Sequence, residues 1–151
     1  QVKNQISMKK IIDFHTRNKY LFMMYNPSTL KEMGKLIGSM SNKSLPKLVD
    51  EYYGKLLYLF SKRPSKKLVS NVFLHLLGYF KKYLTKSDKL DFFEELEKYN
   101  ANSIQISALK RIIMNWLNEF NQEYLKGQSF FQPFPHELNF SFDSKVENRI
   151  V

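Results

Sequence analysis

The chain has 151 residues, of which 43% are hydrophobic and 25% are charged, a length and composition typical of one soluble globular domain. It contains no cysteine, which excludes disulfides, thiolate metal sites and cysteine nucleophiles. No apolar run approaches the roughly 18 residues that a membrane span needs, and no secretory-type leader opens the sequence, so we expect a cytoplasmic protein with no membrane partner.

The balance of charge is strongly basic. Lys and Arg number 24 against 14 Asp and Glu, which gives a formal net charge of +10. Such a balance favours polyanionic partners such as RNA, DNA or an acidic protein surface. The alternative interpretation is that a lysine-rich genome produces basic proteins that have no role with nucleic acid.

The first predicted element is a helix over residues 4–25, which the Asn26-Pro27 pair ends. His15 falls near the middle of its apolar face, and Lys19 lies beside that face one turn later. Burying an ammonium group without a partner is costly. The pair therefore predicts either a buried acceptor or a solvent-filled cleft at this helix.

Five further helices are predicted from apolar residues at helical spacing and from their capping residues. They cover residues 30–40, 44–63, 66–84, 89–99 and 104–125. The helix over 89–99 is predicted to be capped by Ser87 or Asp88. The fourth helix of the chain has apolar residues over nearly half of its circumference, which predicts a central position. With no convincing strand, the sequence predicts an all-α fold, a bundle of about six helices.

A second polar strip follows one edge of the apolar arc on that fourth helix. Asn71, His75, Gly78 and Lys82 recur at helical spacing, so they share one side of the helix. The strip again contains a histidine and a lysine beside a buried face.

The C-terminal segment, residues 128–151, has a different character. Pro133 and Pro135 forbid a regular helix there, yet several Phe residues lie nearby. We expect this Pro- and Phe-rich segment to lie extended across the bundle and to bury its rings. The predicted organisation is therefore a single domain over 1–151, with a bundle over 1–127 and a packed tail over 128–151.

Three segments of the chain carry a family resemblance. They are FHTRNK at 14–19, NVFLHLLGYFK at 71–81, and residues 124–138 with their Gln128, Pro133, Pro135, Glu137 and Leu138. Together they resemble the YbgA family of bacteria and archaea, a domain whose function is not established. The resemblance implies a domain that stands alone or follows a thiouracil desulfidase domain carrying an iron–sulfur cluster. The cysteines of that catalytic domain are absent here, and the Phe-rich ending after Leu138 departs from the family.

The polar residues of the two helices form the candidate ligand-binding set. We expect the first and fourth helices to be neighbours, so that a cationic pocket forms between them and holds a phosphate, a carboxylate or a base edge. The alternative is a buried hydrogen-bond network that holds the helices in register. The predicted binding residues are His15, Arg17, Lys19, Asn71, His75, Tyr79 and Lys82.

No metal or cofactor is expected. His15, His75 and His136 would suit zinc by ligand type, but no HxxxH or HxxE spacing supports such a site. The sequence also contains no GxSxG elbow, no phosphate-binding glycine loop and no obvious carboxylate pair.

Three hypotheses of function follow. The first is a non-catalytic helical module that binds RNA or a nucleotide-like anion, with thiolated nucleobases suggested by the desulfidase fusion alone. The second is a small enzyme that uses His15 or His75 as a general acid or base on a nucleotide-type substrate. The third is a protein-interaction domain whose Phe-rich tail binds a partner.

Overall fold

The computed structural model describes residues 7–39 and 44–132. Within these ranges the chain is all-α and contains no strand, which confirms the predicted fold class. There are eight α-helices, seven of them of two turns or more, followed by a short 3-10 helix at Ser129–Phe131. The helices are α1 Met8–Arg17, α2 Lys19–Tyr25, α3 Pro27–Gly38, α4 Leu45–Leu59, α5 Lys66–Gly78, α6 Lys86–Asn100, α7 Ile106–Phe120 and α8 Glu123–Lys126.

Helix α5 lies at the centre, as its wide apolar arc predicts. It contacts α2, α6 and α7, and four of its apolar side chains, Val69, Val72, Phe73 and Leu76, are inaccessible to solvent. These residues belong to the larger of two apolar clusters, which also takes in α6, α7 and the 3-10 helix. The smaller cluster joins α1, α2, α3 and α4 around Phe22, Met33 and Tyr52.

The prediction of one continuous helix over residues 4–25 is wrong, because α1 ends at Arg17 and α2 begins at Lys19. The side chain of Asn18 donates to Phe14 O at 2.8 Å, which competes with the helical backbone at this point. The Gln128 side chain completes the junction: its Nε2 donates to Thr16 O at 2.7 Å, and its Oε1 accepts from Tyr20 N at 3.4 Å. A residue more than 100 positions away thus satisfies the backbone groups at the break.

Three other helix ends differ from the predicted ones. Helix α5 ends at Gly78, and residues 79–84 continue as turns that keep Phe80 and Leu84 buried. Helix α6 is capped by Thr85, in a capping box with Asp88, rather than by Ser87 or Asp88. Helix α7 ends at Phe120, because the next residue, Asn121, has a φ of 51° in the left-handed region that ends a helix.

The described part of the C-terminal segment packs on the bundle. Phe130 and Phe131 are buried in the larger cluster, and Phe130 makes an edge contact with Phe73 at 5.6 Å between ring centroids. These residues form a 3-10 turn rather than an extended strand. Residues 133–151, which include His136, lie outside the described residues. The predicted packing of the rest of the tail concerns these residues. No helix in the described ranges is both long and apolar enough to cross a membrane.

Candidate functional site

A cavity of about 490 Å³ opens where α1, α2 and α3 face α5. Apolar atoms provide most of its lining surface and polar groups a smaller part, and four of the seven predicted binding residues are in its wall. The lining residues are His15, Lys19, Met23, Pro27, Leu30, Lys31, Gly34, Lys35, Asn71 and His75. His15 and Lys19 therefore share a single cavity with Asn71 and His75 of the second polar strip, whereas Gly78 and Lys82 of that strip do not line it.

His15 is held in place from the side away from the cavity. Its Nδ1 lies 3.0 Å from the hydroxyl of buried Tyr52, and the two rings make an edge contact. Burial lowers the pKa of His15 below its ordinary value of 6.5, and the nearby charge of Lys19 lowers it further. Burial also raises the pKa of Tyr52, so its hydroxyl stays protonated.

Two tautomers of a neutral His15 ring fit this contact. With the hydrogen on Nε2, the Tyr52 hydroxyl donates to Nδ1; with the hydrogen on Nδ1, the ring donates to the hydroxyl and Nε2 is an acceptor. Nε2 lies beside Gly34, where a Cβ atom would stand only 3.7 Å away. Because residue 34 has no side chain and lines the cavity, Nε2 is open to the cavity on this side in either tautomer.

The charge of the cavity wall is entirely positive or neutral. Lys31 and Lys35 lie one turn apart on α3, so they project from the same side of that helix, while Lys19 comes from α2. None of the ten lining residues is acidic. Glu32, the acid nearest to them in the chain, bonds Lys55 of α4 at 2.7 Å. Three lysines therefore face the cavity without a carboxylate in its wall.

Asn71 and His75 form the opposite wall. They lie one turn apart on α5, and His75 is exposed to solvent whereas His15 is half-buried. The cavity thus presents two imidazoles in different environments and one amide that can donate or accept. Its apolar surface comes from Met23, Pro27 and Leu30.

The other three predicted residues lie elsewhere. Arg17 lines a separate cavity of about 450 Å³, to whose wall Asp13 also contributes. The Nη2 of Arg17 donates to Gln132 Oε1 at 2.6 Å. The Tyr79 hydroxyl accepts a hydrogen bond from Tyr20 at 2.7 Å. Lys82 follows the end of α5, with its Nζ 5.0 Å from the ring centroid of Tyr83.

Sequence reasoning missed several residues of the site. Lys31, Lys35 and Gly34 belong to a helix that was predicted, and the spacing of its two lysines places them on one face. Nothing in their pattern separates them from ordinary solvated lysines. Tyr52 lies in the predicted helix over residues 44–63, and its contact with His15 depends on the packing of α4 against α1.

A metal centre finds no support in the described part of the chain. There, no group of three or more His, Asp or Glu side chains is close enough together to hold an ion. The third histidine of the hypothetical zinc site, His136, lies outside the described residues. The chemistry open to the cavity is therefore hydrogen bonding and charge pairing by lysine, imidazole and amide groups.

His75→Ala is expected to leave the melting temperature within about 1–2 °C of the wild-type value, because exposed side chains contribute little to stability. The same substitution should weaken anion binding, since it removes a donor from the cavity wall. Thermal unfolding measured beside a binding titration checks both outcomes. A fall of several degrees would instead show that His75 belongs to a structural network.

Comparison of the sequence with known proteins places this chain in a family. The model of the family described as "Protein of unknown function (DUF1722)" matches residues 19–135. The "Uncharacterized protein YbgA" of Escherichia coli (strain K12) is 19% identical over 130 residues, which cover 85% of this chain and 77% of that protein. The resemblance to the YbgA family is thereby confirmed. No solved structure matches the chain.

Proposed function

The chain belongs to the DUF1722 family, and for this member we propose that the cavity around His15 binds the phosphate group of a nucleotide or of an RNA strand. One observation carries the proposal: a concave site lined by Lys19, Lys31, Lys35 and two histidines has no acidic residue in its wall. Charge-assisted hydrogen bonds from such groups to phosphate oxygens are among the stronger polar contacts in proteins.

The shape of the site suits a phosphate that is attached to a larger group. A volume of about 490 Å³ falls within the range of small-molecule sites. Apolar atoms of Met23, Pro27 and Leu30 share the wall with the cations, so a flat organic group can lie against them. A nucleoside monophosphate provides both parts. The net charge of +10 adds a long-range attraction for such ligands and for RNA.

The proposal describes a binding module rather than a catalyst, and a titration tests it. Adenosine 5′-monophosphate (AMP) should bind at low salt with an affinity that falls as salt rises, because phosphate contacts release counterions. Adenosine, which has no phosphate, is the matched control and should bind far more weakly. Equal affinity for the two compounds, or no binding of AMP and of any RNA, would refute the proposal. Thiolated nucleotides in the same titration test the link with thiolated bases that the resemblance implies.

A second candidate function is supported by the state of His15. An imidazole kept neutral near pH 7, oriented by Tyr52 and open to a cationic cavity, has the properties of a general base or acid. Release of phosphate or cleavage products from AMP or RNA, abolished in His15→Gln, would support this enzyme. The third hypothesis, a protein partner bound by the Phe-rich tail, concerns residues outside the described ranges and stays a prediction.

A further inference from the structure

An aromatic pair, exposed Tyr83 and partly buried Phe120, lies where the turns after α5 meet the end of α7. The rings of Tyr83 and Phe120 are stacked, with centroids 5.1 Å apart and planes inclined by 11°. Tyr83 is 41% exposed, and the Nζ of Lys82 lies 5.0 Å from its ring centroid. Phe120 is itself packed against buried Phe80, which fixes the pair to the core. We call Tyr83 and Phe120 the aromatic platform.

We propose that the aromatic platform stacks a base of a single-stranded nucleic acid whose terminal phosphate occupies the His15 cavity. The inference rests on the proposed function and specifies a single-stranded nucleic acid as the ligand. Proteins that hold single strands without reading sequence combine cationic grooves with aromatic rings on which bases stack. A tyrosine ring that is already flat against a phenylalanine and partly open to solvent provides such a stacking surface.

The path between cavity and platform runs along the last turn of α5 and the turns that follow it. His75 lines the cavity, Gly78 is the last residue of α5, and Lys82 and Tyr83 lie in the turns beyond it. Gly78 is exposed, and a Cβ placed there would meet no atom within 4 Å, so the surface is open at this point. The turns keep i→i+3 backbone hydrogen bonds, such as Tyr83 N to Phe80 O, so a rise of about 1.5–2 Å per residue over eight residues places Tyr83 roughly 12–16 Å from His75. At about 3.4 Å per nucleotide, that distance corresponds to about four nucleotides of a stacked strand.

Charge favours a nucleic acid over an apolar peptide on this surface. Lys81, Lys82 and Lys86 are all exposed and surround Tyr83 in the chain. Of the acids close to the platform in the chain, Asp88 is engaged in the capping box with Thr85, and exposed Glu119, beside Phe120, is outnumbered by the three lysines. Lysines close to an exposed ring can pair with the phosphates on either side of a stacked base. This arrangement also gives a role to Lys82, which lies outside the cavity wall.

The test compares a mononucleotide with a short strand. Wild-type protein should bind a 5′-phosphorylated adenylate tetramer about tenfold more tightly than AMP, a gain within the range of one stacked base. Tyr83→Leu keeps an apolar cover on Phe120 but removes the stacking ring. This variant should bind AMP as the wild type does and lose the tenfold gain. Tyr58→Leu is the matched control, because Tyr58 is 54% exposed on α4, outside both the cavity wall and the aromatic platform, and this variant should retain the gain.

A tetramer with abasic sites at its last two positions separates stacking from charge. It keeps the phosphates, so wild type and Tyr83→Leu should bind it equally. The inference is overturned if Tyr83→Leu keeps full affinity for the adenylate tetramer. It is also overturned if the substitution weakens binding of the abasic tetramer as much as it weakens binding of the adenylate tetramer. AMP binding with no gain from length would also overturn it while leaving the cavity as a phosphate site. Absence of binding to AMP and to both tetramers would refute the proposed function itself.

Discussion

Replacing Lys31 and Lys35 together by glutamine is expected to weaken AMP binding by about 10-fold to 100-fold. Each lysine removed takes away a charge-assisted contact worth about 1 kcal/mol or more at a partly exposed site. Both residues lie on one side of α3 and line the cavity, so one ligand phosphate can reach both. Isothermal titration calorimetry at low salt measures the loss. The dependence of affinity on salt should also become less steep, because fewer cations remain at the site.

The matched control is the double substitution Lys47→Gln and Lys67→Gln. It lowers the net charge of the chain by the same amount, and its two lysines are exposed on α4 and α5 outside the cavity. We expect this variant to lose less than twofold in affinity. Equal losses of affinity in the two double variants would show that AMP binding depends on the overall charge of the protein. That result would refute the cavity as the binding site.

Gln128→Leu is expected to lower the free energy of unfolding by about 2–4 kcal/mol and the melting temperature by roughly 5–15 °C. Gln128 is only 1% exposed and bonds both Thr16 O and Tyr20 N at the junction of α1 and α2. Leucine fills a similar volume but leaves the buried Tyr20 N–H without its partner, which costs about 1–3 kcal/mol, and it removes the part-buried bond to Thr16 O, which is worth about 0.5–1.5 kcal/mol. Chemical denaturation gives the change in free energy.

Gln132→Leu serves as the control for this substitution. Gln132 is exposed, lies in the same segment and bonds Arg17, whose guanidinium can be solvated when the bond is lost. We expect a change within about 0.5 kcal/mol. His15 and Lys19 lie on either side of the junction that Gln128 holds, so Gln128→Leu should also weaken AMP binding. A Gln128→Leu variant as stable as the wild type would contradict the role assigned to this side chain.

Much of the fold is readable from the sequence because its helices have regular apolar spacing. The central position of α5 follows from an apolar arc that no solvent-exposed helix would carry. Helix ends that depend on side chains from distant segments are not readable in this way. The break at Asn18 is completed by Gln128, which is 110 residues later in the chain, and no local pattern connects the two.

The candidate site was partly predictable because some of its polar residues lie in or beside apolar helix faces. His15 and Lys19 stand out because a polar side chain in an apolar face needs a cavity or a partner. Asn71 and His75 stand out beside the apolar arc of α5. Lys31 and Lys35 carry no such contrast, because lysine is expected on an exposed helix surface. Their contribution depends on how α3 packs beside α2 and α5, which is a tertiary property.

The most direct measurement is the pKa of His15, determined by NMR in free protein and in protein saturated with AMP. In the free protein we expect a value below 6.5, because burial and the charge of Lys19 disfavour the imidazolium. A phosphate beside Nε2 stabilises the imidazolium, so AMP should raise the pKa of His15, and by linkage AMP binds more tightly to the protonated imidazole. The ring signals of His75 should shift in the same titration. Bound AMP with an unchanged His15 pKa and unshifted His75 signals would contradict the assignment of the cavity as the phosphate site.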